Sequence, residues 1–521
     1  MKIYSRIHIP MISALCLAWS IFFLLPAHAL SRELFVDRQL SSNCPGNYNP
    51  KTRACNESGS RDAYSDLDTA VSTLRPGDVL NLRQGSYTRL NITTSGTVEN
   101  PITIRSYPRE TAVITNNGSE VALWLIQRHD IIINGLEVRN AAGHGRLEES
   151  TRITIKNTLF TQSQSSGTTG SLKFVRSTYN HVNNCTFTDS NSDAVVIQDN
   201  SDYNIFEGNK FNRAEHSLLS IRCSNYNIFR NNDFANPNQK AIEIYDCEGI
   251  SDAPVRLDST KHNLFENNRI TDTKASDRDY RYNAIQHGAQ YTIVRKNVFR
   301  NCEGGGVNYQ SYSDESLYVY GNRLYNNTFY NNSCYGIIGN SGSSSQYYDN
   351  RVVNNLLYKN TSCNGAPAQV SINDPDAVIL DHNVLATDDP GFIDADANDF
   401  SLTTTSPALD AGTFITHTNG SGSGTTIPVD DAAVFFDGFG IPGEIGDIIQ
   451  FEGSQDTERI LSIDYQNKTL TLDKAVTWTD GQGISLRYSG NAPAVGAFEG
   501  TTDIVISTPT GLRIAGNKTS E

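Results

Sequence analysis

The sequence predicts an all-β protein, a parallel β-helix with an N-terminal helical cap and a small antiparallel β insert near the C-terminus. An asparagine followed two residues later by Leu, Ile or Phe recurs at Asn134, Asn157, Asn209, Asn232, Asn268, Asn297, Asn327, Asn355 and Asn383, and Cys185 stands where one is missing. Self-similarity at steps of roughly 23 to 36 residues marks a solenoid, whose repeats bury their apolar faces only by stacking. An aromatic residue or His precedes five of these rungs, at Tyr179, Tyr203, Tyr226, His262 and Tyr291. Segments such as 194–197, 218–221 and 241–244 are short, β-prone and bounded by Asn, Asp, Gly and Ser, with no helical periodicity between them. Two or three short strands per coil, stacked in parallel, fit this texture. The ladder asparagines are expected to be structural, each amide bonding to the next coil and to turn backbone.

Residues 1–29 are expected to be a secretory signal peptide: Lys2 and Arg6, an apolar stretch from Met11 to Leu25, then Ala27-His28-Ala29. Leu15 before Cys16 argues against a lipid anchor, and no later segment is apolar enough for a transmembrane anchor. Residues 30–412 are assigned to the β-helix with its cap. Within them "ELFVDRQ" is expected as a strand, and "YSDLDTAVSTLRPGD" as a short amphipathic helix with Ser65 as N-cap. A helix there would cover the open strand edge of the first coil. Residues 413–491 alternate strands and turns and are expected to be an inserted small β-domain, because "SPALDAG" before it and "VGAFEG" in 492–500 look like two halves of one closing segment. Residues 501–521 are a tail without a core of their own.

The net charge of −15 becomes more negative without Lys2 and Arg6, and such a field repels nucleic acid, so none is expected as a partner. An acidic polysaccharide remains compatible, because a local cluster of cations or a bound calcium acts at the short range where a sugar carboxylate sits. Eight cysteines follow the leader, an even number in an exported chain, which permits disulfides. Cys44 with Cys55 is the first expected pair; Cys223 with Cys247 and Cys334 with Cys363 are one coil apart. A secreted or periplasmic monomer is expected.

The "PGDVLNLRQGSY" opening, "GTVENPITIRSYP", the N-x-F coils and the "SPALDAG…VGAFEG" close resemble exported right-handed parallel β-helix proteins, among them polysaccharide lyases and uronan C5-epimerases. The resemblance spans residues 32–500 apart from the insert. Within that group the chain is similar to the chondroitinase B and alginate lyase family, in which a glutamate-bearing strand is followed by a basic residue and a later coil carries Arg-His-Gly. Here "KAIEIYDCEG" presents Glu243, and "IQHG" presents His287 and Gly288. The sequence departs from the family where Tyr245, Asp246 and Cys247 follow Glu243, and where Gln286 stands in place of the arginine. The resemblance implies cleavage of a uronic acid polymer by β-elimination; C5 epimerisation and non-catalytic glycan binding are the alternatives.

Long loops on consecutive coils, 246–260, 271–283 and 311–322, point to a functional face. Aligning the neighbouring strands on Ile221, Ile244, Ile285 and Val307 as inward residues puts Ser220, Glu243 and Ala284 in one outward row and Arg222, Tyr245, Gln286 and Asn308 in the next. β-Elimination needs a group to neutralise the sugar carboxylate, a base for the C5 proton and an acid for the leaving O4. The candidates are His216, Arg222, Tyr245, His287 and Tyr309 for catalysis, Lys240, Arg281, Gln286 and Asn308 for substrate binding, and Glu243 for a calcium. Gly143-His144-Gly145 reads as a turn, and the pairs Asp388-Asp389 and Asp430-Asp431 as solvated turn residues.

Overall fold

The computed structural model describes residues 31–56, 58–116, 121–164, 170–245, 260–274, 283–310, 319–340 and 347–500. The expected leader, the tail, Arg281 and most of the three long loops lie outside these residues. The chain winds through three sheets of 16, 11 and 12 strands, parallel except for two strands at one edge of the first, and nearly every coil gives one strand to each. Their inner faces enclose one continuous apolar cluster running from Leu34 to Val378. Within it, phenylalanines stack coil upon coil: Phe160, Phe187, Phe211 and Phe234 lie 4.5–4.9 Å apart, centroid to centroid. No helix among the described residues is long and apolar enough to cross a membrane.

The corners explain the repeat. Asn209 Oδ1 accepts from the backbone N–H of Cys185 at 2.9 Å, and Asn232 Oδ1 accepts from that of Asn209 at 3.0 Å. The pattern continues without a break from Asn232 to Asn383. The residue just before each rung is in the left-handed region, as at Asn184 (φ 51°), Gly208 (65°), Asn231 (56°), Asn267 (54°) and Asn326 (51°). Asparagine tolerates that conformation, so the Asn-Asn pairs supply first the turn and then the ladder amide. Asn134 and Asn157 do not belong to the buried ladder. They bond to each other on the surface, and Asn157 occupies the left-handed position (φ 50°), one residue before the corner.

A second ladder, not anticipated, runs through Asn180, Asn204, Asn227 and Asn263. The residue before each of its rungs is an aromatic or His in the left-handed region, Tyr179, Tyr203, Tyr226 and His262. Their rings stack at 4.9–5.1 Å, which accounts for the aromatic signal in the sequence.

The expected helical cap reduces to one short helix, Leu67–Ser72, capped by Asp66 rather than Ser65. The edge of the first sheet is instead covered by antiparallel strands Cys44–Asn49 and Ala54–Cys55, joined by the Cys44–Cys55 disulfide. Cys334 pairs with Cys363, and Cys223 is disulfide-bonded while its expected partner Cys247 lies outside the described residues. Gly143-His144-Gly145 begins strand Gly143–Glu148 and is no turn. His144 is buried, its Nε2–H donates to Thr161 O at 2.9 Å, and burial pushes it down to about 4.

Strands from Thr416–His417 to Gly483–Leu486 form a six-stranded antiparallel sheet. It packs on the outer face of the first parallel sheet, where Ile205, Ile228, Leu264 and Ile293 meet Phe435, Ile449 and Ile460. Among the described residues four ion pairs cross this junction: Arg230 with Glu444, Arg295 with Asp447, and Arg323 and Arg351 with Asp431. Asp431 is therefore a buried partner of Arg323 and not a solvated turn residue. On either side of the sheet the chain rejoins itself, Gly412 N–H donating to Pro493 O at 2.9 Å and Val495 N–H to Ala408 O at 2.9 Å.

Candidate active site

The second sheet carries the candidate site on strands Val195–Gln198, Ser217–Arg222, Lys240–Tyr245, Ile285–His287 and Val307–Gln310. Ile242, not Ile244, pairs with Ile285, which in turn pairs with Val307. The row alternating with this apolar one is Ser220, Glu243, Gln286 and Asn308. The expected alignment was therefore two residues out. Ala284 belongs to the core, and Gln286 and Asn308 adjoin Glu243 instead of Arg222 and Tyr245.

The same register overturns two candidates. His287 pairs with Ile244 and Tyr309 with His287, so both rings share the inward parity of Ile221 and Ile244. Each is 0 % exposed and they pack at 5.1 Å inside the solenoid. Burial pushes His287 down to about 4 and raises Tyr309. Neither ring faces a substrate.

A compact polar cluster forms where two coils enter the sheet. His216 Nδ1 lies 2.6 Å from Asp193 Oδ1, which also accepts from Ser217 N–H at 3.0 Å. Glu243 Oε2 accepts from Ser217 Oγ at 3.2 Å and sits 3.8 Å from His216 Nδ1, while Glu243 Oε1 holds Lys240 Nζ. Asp193, Glu243 and Lys240 are buried; His216 alone keeps a side chain 29 % exposed. The hydrogen bond to Asp193 raises His216 above the usual imidazole value, against the opposing effect of burial. Since Nδ1 is committed to Asp193, Nε2 is the atom that can exchange a proton with a bound molecule.

Arg222 and Tyr245 are paired across neighbouring strands, the guanidinium 4.9 Å over the ring. They stand at the opposite end of the strand from His216, about 20 Å away along extended chain. Arg222 and His216, both catalytic candidates from the sequence, therefore do not converge on one reacting bond. Lys240 is not an accessible cation either, being buried against Glu243.

Asp193 was missed. It lies just before the Val195–Gln198 strand, outside the loop-walled coils, and its signal is the Asp-Ala-Val-Val corner one coil before Glu-His-Ser-Leu. Asp193, His216 and Glu243 offer ligand atoms within 4.8 Å of one another. Each carboxylate already faces a cationic or protonatable nitrogen, and calcium favours six to eight oxygens. The donor set fits proton exchange better than calcium.

A cleft of about 650 Å³ lies elsewhere, between the first parallel sheet and the six-stranded sheet. Its Arg323 and Arg351 are paired with Asp349 and Asp431.

The family described as right handed beta helix region matches residues 111–253. No curated protein matches the chain. Among solved structures, a pectate lyase, Pel9A, is 13 % identical with a TM-score of 0.47, covering 90 % of this chain and 97 % of its own. An alginate lyase from Paenibacillus sp. str. FPU-7 is 16 % identical with a TM-score of 0.36, covering 51 % and 94 %. A lacto-N-biosidase from Eubacterium ramulus is 11 % identical with a TM-score of 0.43, covering 67 % and 68 %.

Proposed function

We propose that the protein is an exported enzyme that cleaves a uronic acid polysaccharide by β-elimination, with His216 as its proton-exchanging group. The observation that carries this reading is the partly exposed His216, held through Nδ1 by buried Asp193 where the chain enters a strand of the second parallel sheet. In its neutral form Nε2 takes the C5 proton. The electron pair left on C5 forms the C4–C5 double bond as the C4–O4 bond breaks, and the same imidazolium, on the same face of the sugar, returns its proton to O4. One group then serves as base and acid in turn, so no second titratable residue is needed beside it. Gln286, next to Glu243 in the row, is buried as Lys240 is, and it is not the donor for the sugar carboxylate, whose charge must be stabilised as C5 gives up its proton. The Lys240–Glu243 pair fixes the floor under His216. Arg222 and Tyr245 lie too far for this step and bind a neighbouring sugar. The disulfides fit an oxidising compartment outside the cytoplasm.

Calcium is a second reading, favoured only by the closeness of Asp193, His216 and Glu243. Chelator treatment separates the two: activity that survives it excludes a metal requirement. The function is tested by incubating the protein with polygalacturonate, alginate and a glycosaminoglycan and following ultraviolet absorbance of the unsaturated uronide. Deuterium uptake at C5 without that absorbance indicates an epimerase. Binding without either change indicates a glycan-binding protein.

A further inference from the structure

Three cations gather on the second sheet, Arg146 and Lys173 on strands before the candidate site and Arg222 at the end of the strand that follows His216, in a chain whose overall charge is strongly negative. Arg146 pairs in register with Lys173, and Lys173 with Val196, which in turn pairs with Ser220 beside Glu243. Lys173 therefore lies in the row that holds Glu243, three strands or about 14 Å away. It is partly buried, and it forms no ion pair among the described residues. Arg222 likewise forms no ion pair among the described residues: its Nε is buried without a hydrogen-bond partner, and its guanidinium lies 4.9 Å over the Tyr245 ring. Arg146 is held at 2.8 Å by Glu148, which also binds Arg176.

The surroundings of Lys173 make this arrangement costly without an anion. Desolvation lowers its proton affinity, and Arg146 and Arg222 lower it further, outweighing the opposing influence of Asp199 and Glu148. Half-buried cations left unpaired beside like charges are unfavourable in the free protein, and an anion placed among them would relieve the repulsion. Lysine and arginine donors on neighbouring strands suit a carboxylate, which accepts from several N–H groups at once. The row continues at its far end to Trp124, which pairs in register with Arg146 and carries the Arg89 guanidinium 4.9 Å over its ring.

We propose that Lys173 and Arg222, flanked by Arg146, form a subsite for the carboxylate of a second uronate in the same polymer, while His216 acts on the first. This rests on the proposed action on uronic acid polymers, and it adds a requirement for more than one charged sugar. A neutral polysaccharide lacks the group the subsite binds.

The test measures binding of a purified oligouronate to the His216→Ala protein by calorimetry, with a neutral oligosaccharide as control. Lys173→Gln is expected to weaken binding about tenfold and to flatten its salt dependence, as loss of one charge-assisted contact should. Lys173→Arg is expected to restore both, and equal melting temperatures exclude a folding effect. In the cleaving enzyme the loss is expected in KM and not in kcat. Unchanged affinity and salt slope in Lys173→Gln overturn the subsite even if uronides are cleaved. Tenfold weaker binding without any cleavage by the wild type retains the subsite and removes the reaction. Binding of no uronide by any form removes both.

Discussion

At the residue scale, the site turns on how one imidazole is held. Asp193 raises His216, so the protonated ring stabilises the fold. That contribution is fully present below the unfolded-state value of about 6.5, and it fades as pH rises through the folded value. Activity has the opposite slope, because the base must be neutral to accept the C5 proton. Asp193→Asn is expected to move the rising limb of the pH–rate profile toward lower pH and to remove the matching change in melting temperature. An unmoved limb would show that His216 is not the titrating base. Glu243→Leu has a different consequence. It takes the Glu243 carboxylate away from the buried Lys240 ammonium, and breaking that buried pair should cost about 3–5 kcal/mol in thermal or denaturant unfolding.

At the scale of the coil, the ladder makes a sharper prediction than the bare repeat. Asn232 Oδ1 accepts from both the N–H and the side-chain amide of Asn209, and its own amide donates to Phe206 O and Asn268 Oδ1. Asn232→Leu leaves several of these buried partners unmet, so a loss of about 3 kcal/mol or more is expected in denaturant melts. Cys185 is free and buried, takes the rung position against Asn209, and points its thiol at Ile155 O at 3.5 Å. Asn209 makes the corresponding bond to Val182 O at 2.9 Å. Cys185→Asn should therefore be tolerated without loss of melting temperature.

The same scale shows how far the sequence is legible. The Asn-Asn corners and Tyr-Asn pairs are local, so each coil states its turns in its own residues and the parallel β-helix can be inferred. Register across coils is less local. In Ala241-Ile242-Glu243-Ile244 two isoleucines share one face, and either can be matched to Ile285 without changing the inside–outside pattern. Only stacking on the neighbouring strand separates them, and the wrong choice set Gln286 and Asn308 beside Arg222. His287 was misplaced for a related reason: a histidine after Gln reads as a surface residue unless the strand is known to run through it. Asp193 escaped notice because its partner is a full coil away in sequence.

For the whole molecule, the six-stranded sheet is bound to the solenoid by more than its two chain crossings. Replacing residues 413–491 by a short linker would bare Ile205, Ile228, Leu264 and Ile293 and would strip Arg295 and Arg323 of Asp447 and Asp431. A marked fall in melting temperature and solubility is expected, against the independence that the sequence texture invites. An unchanged unfolding transition would mean that these buried pairs contribute no net stability.

The most direct measurement compares wild type and His216→Ala on a set of uronic acid polymers by absorbance of the unsaturated product. The wild type is expected to generate that absorbance on at least one polymer, and His216→Ala to lower the rate about a hundredfold or more with its fold intact. Absence of the unsaturated uronide from every polymer, or full activity in His216→Ala, would contradict the assignment.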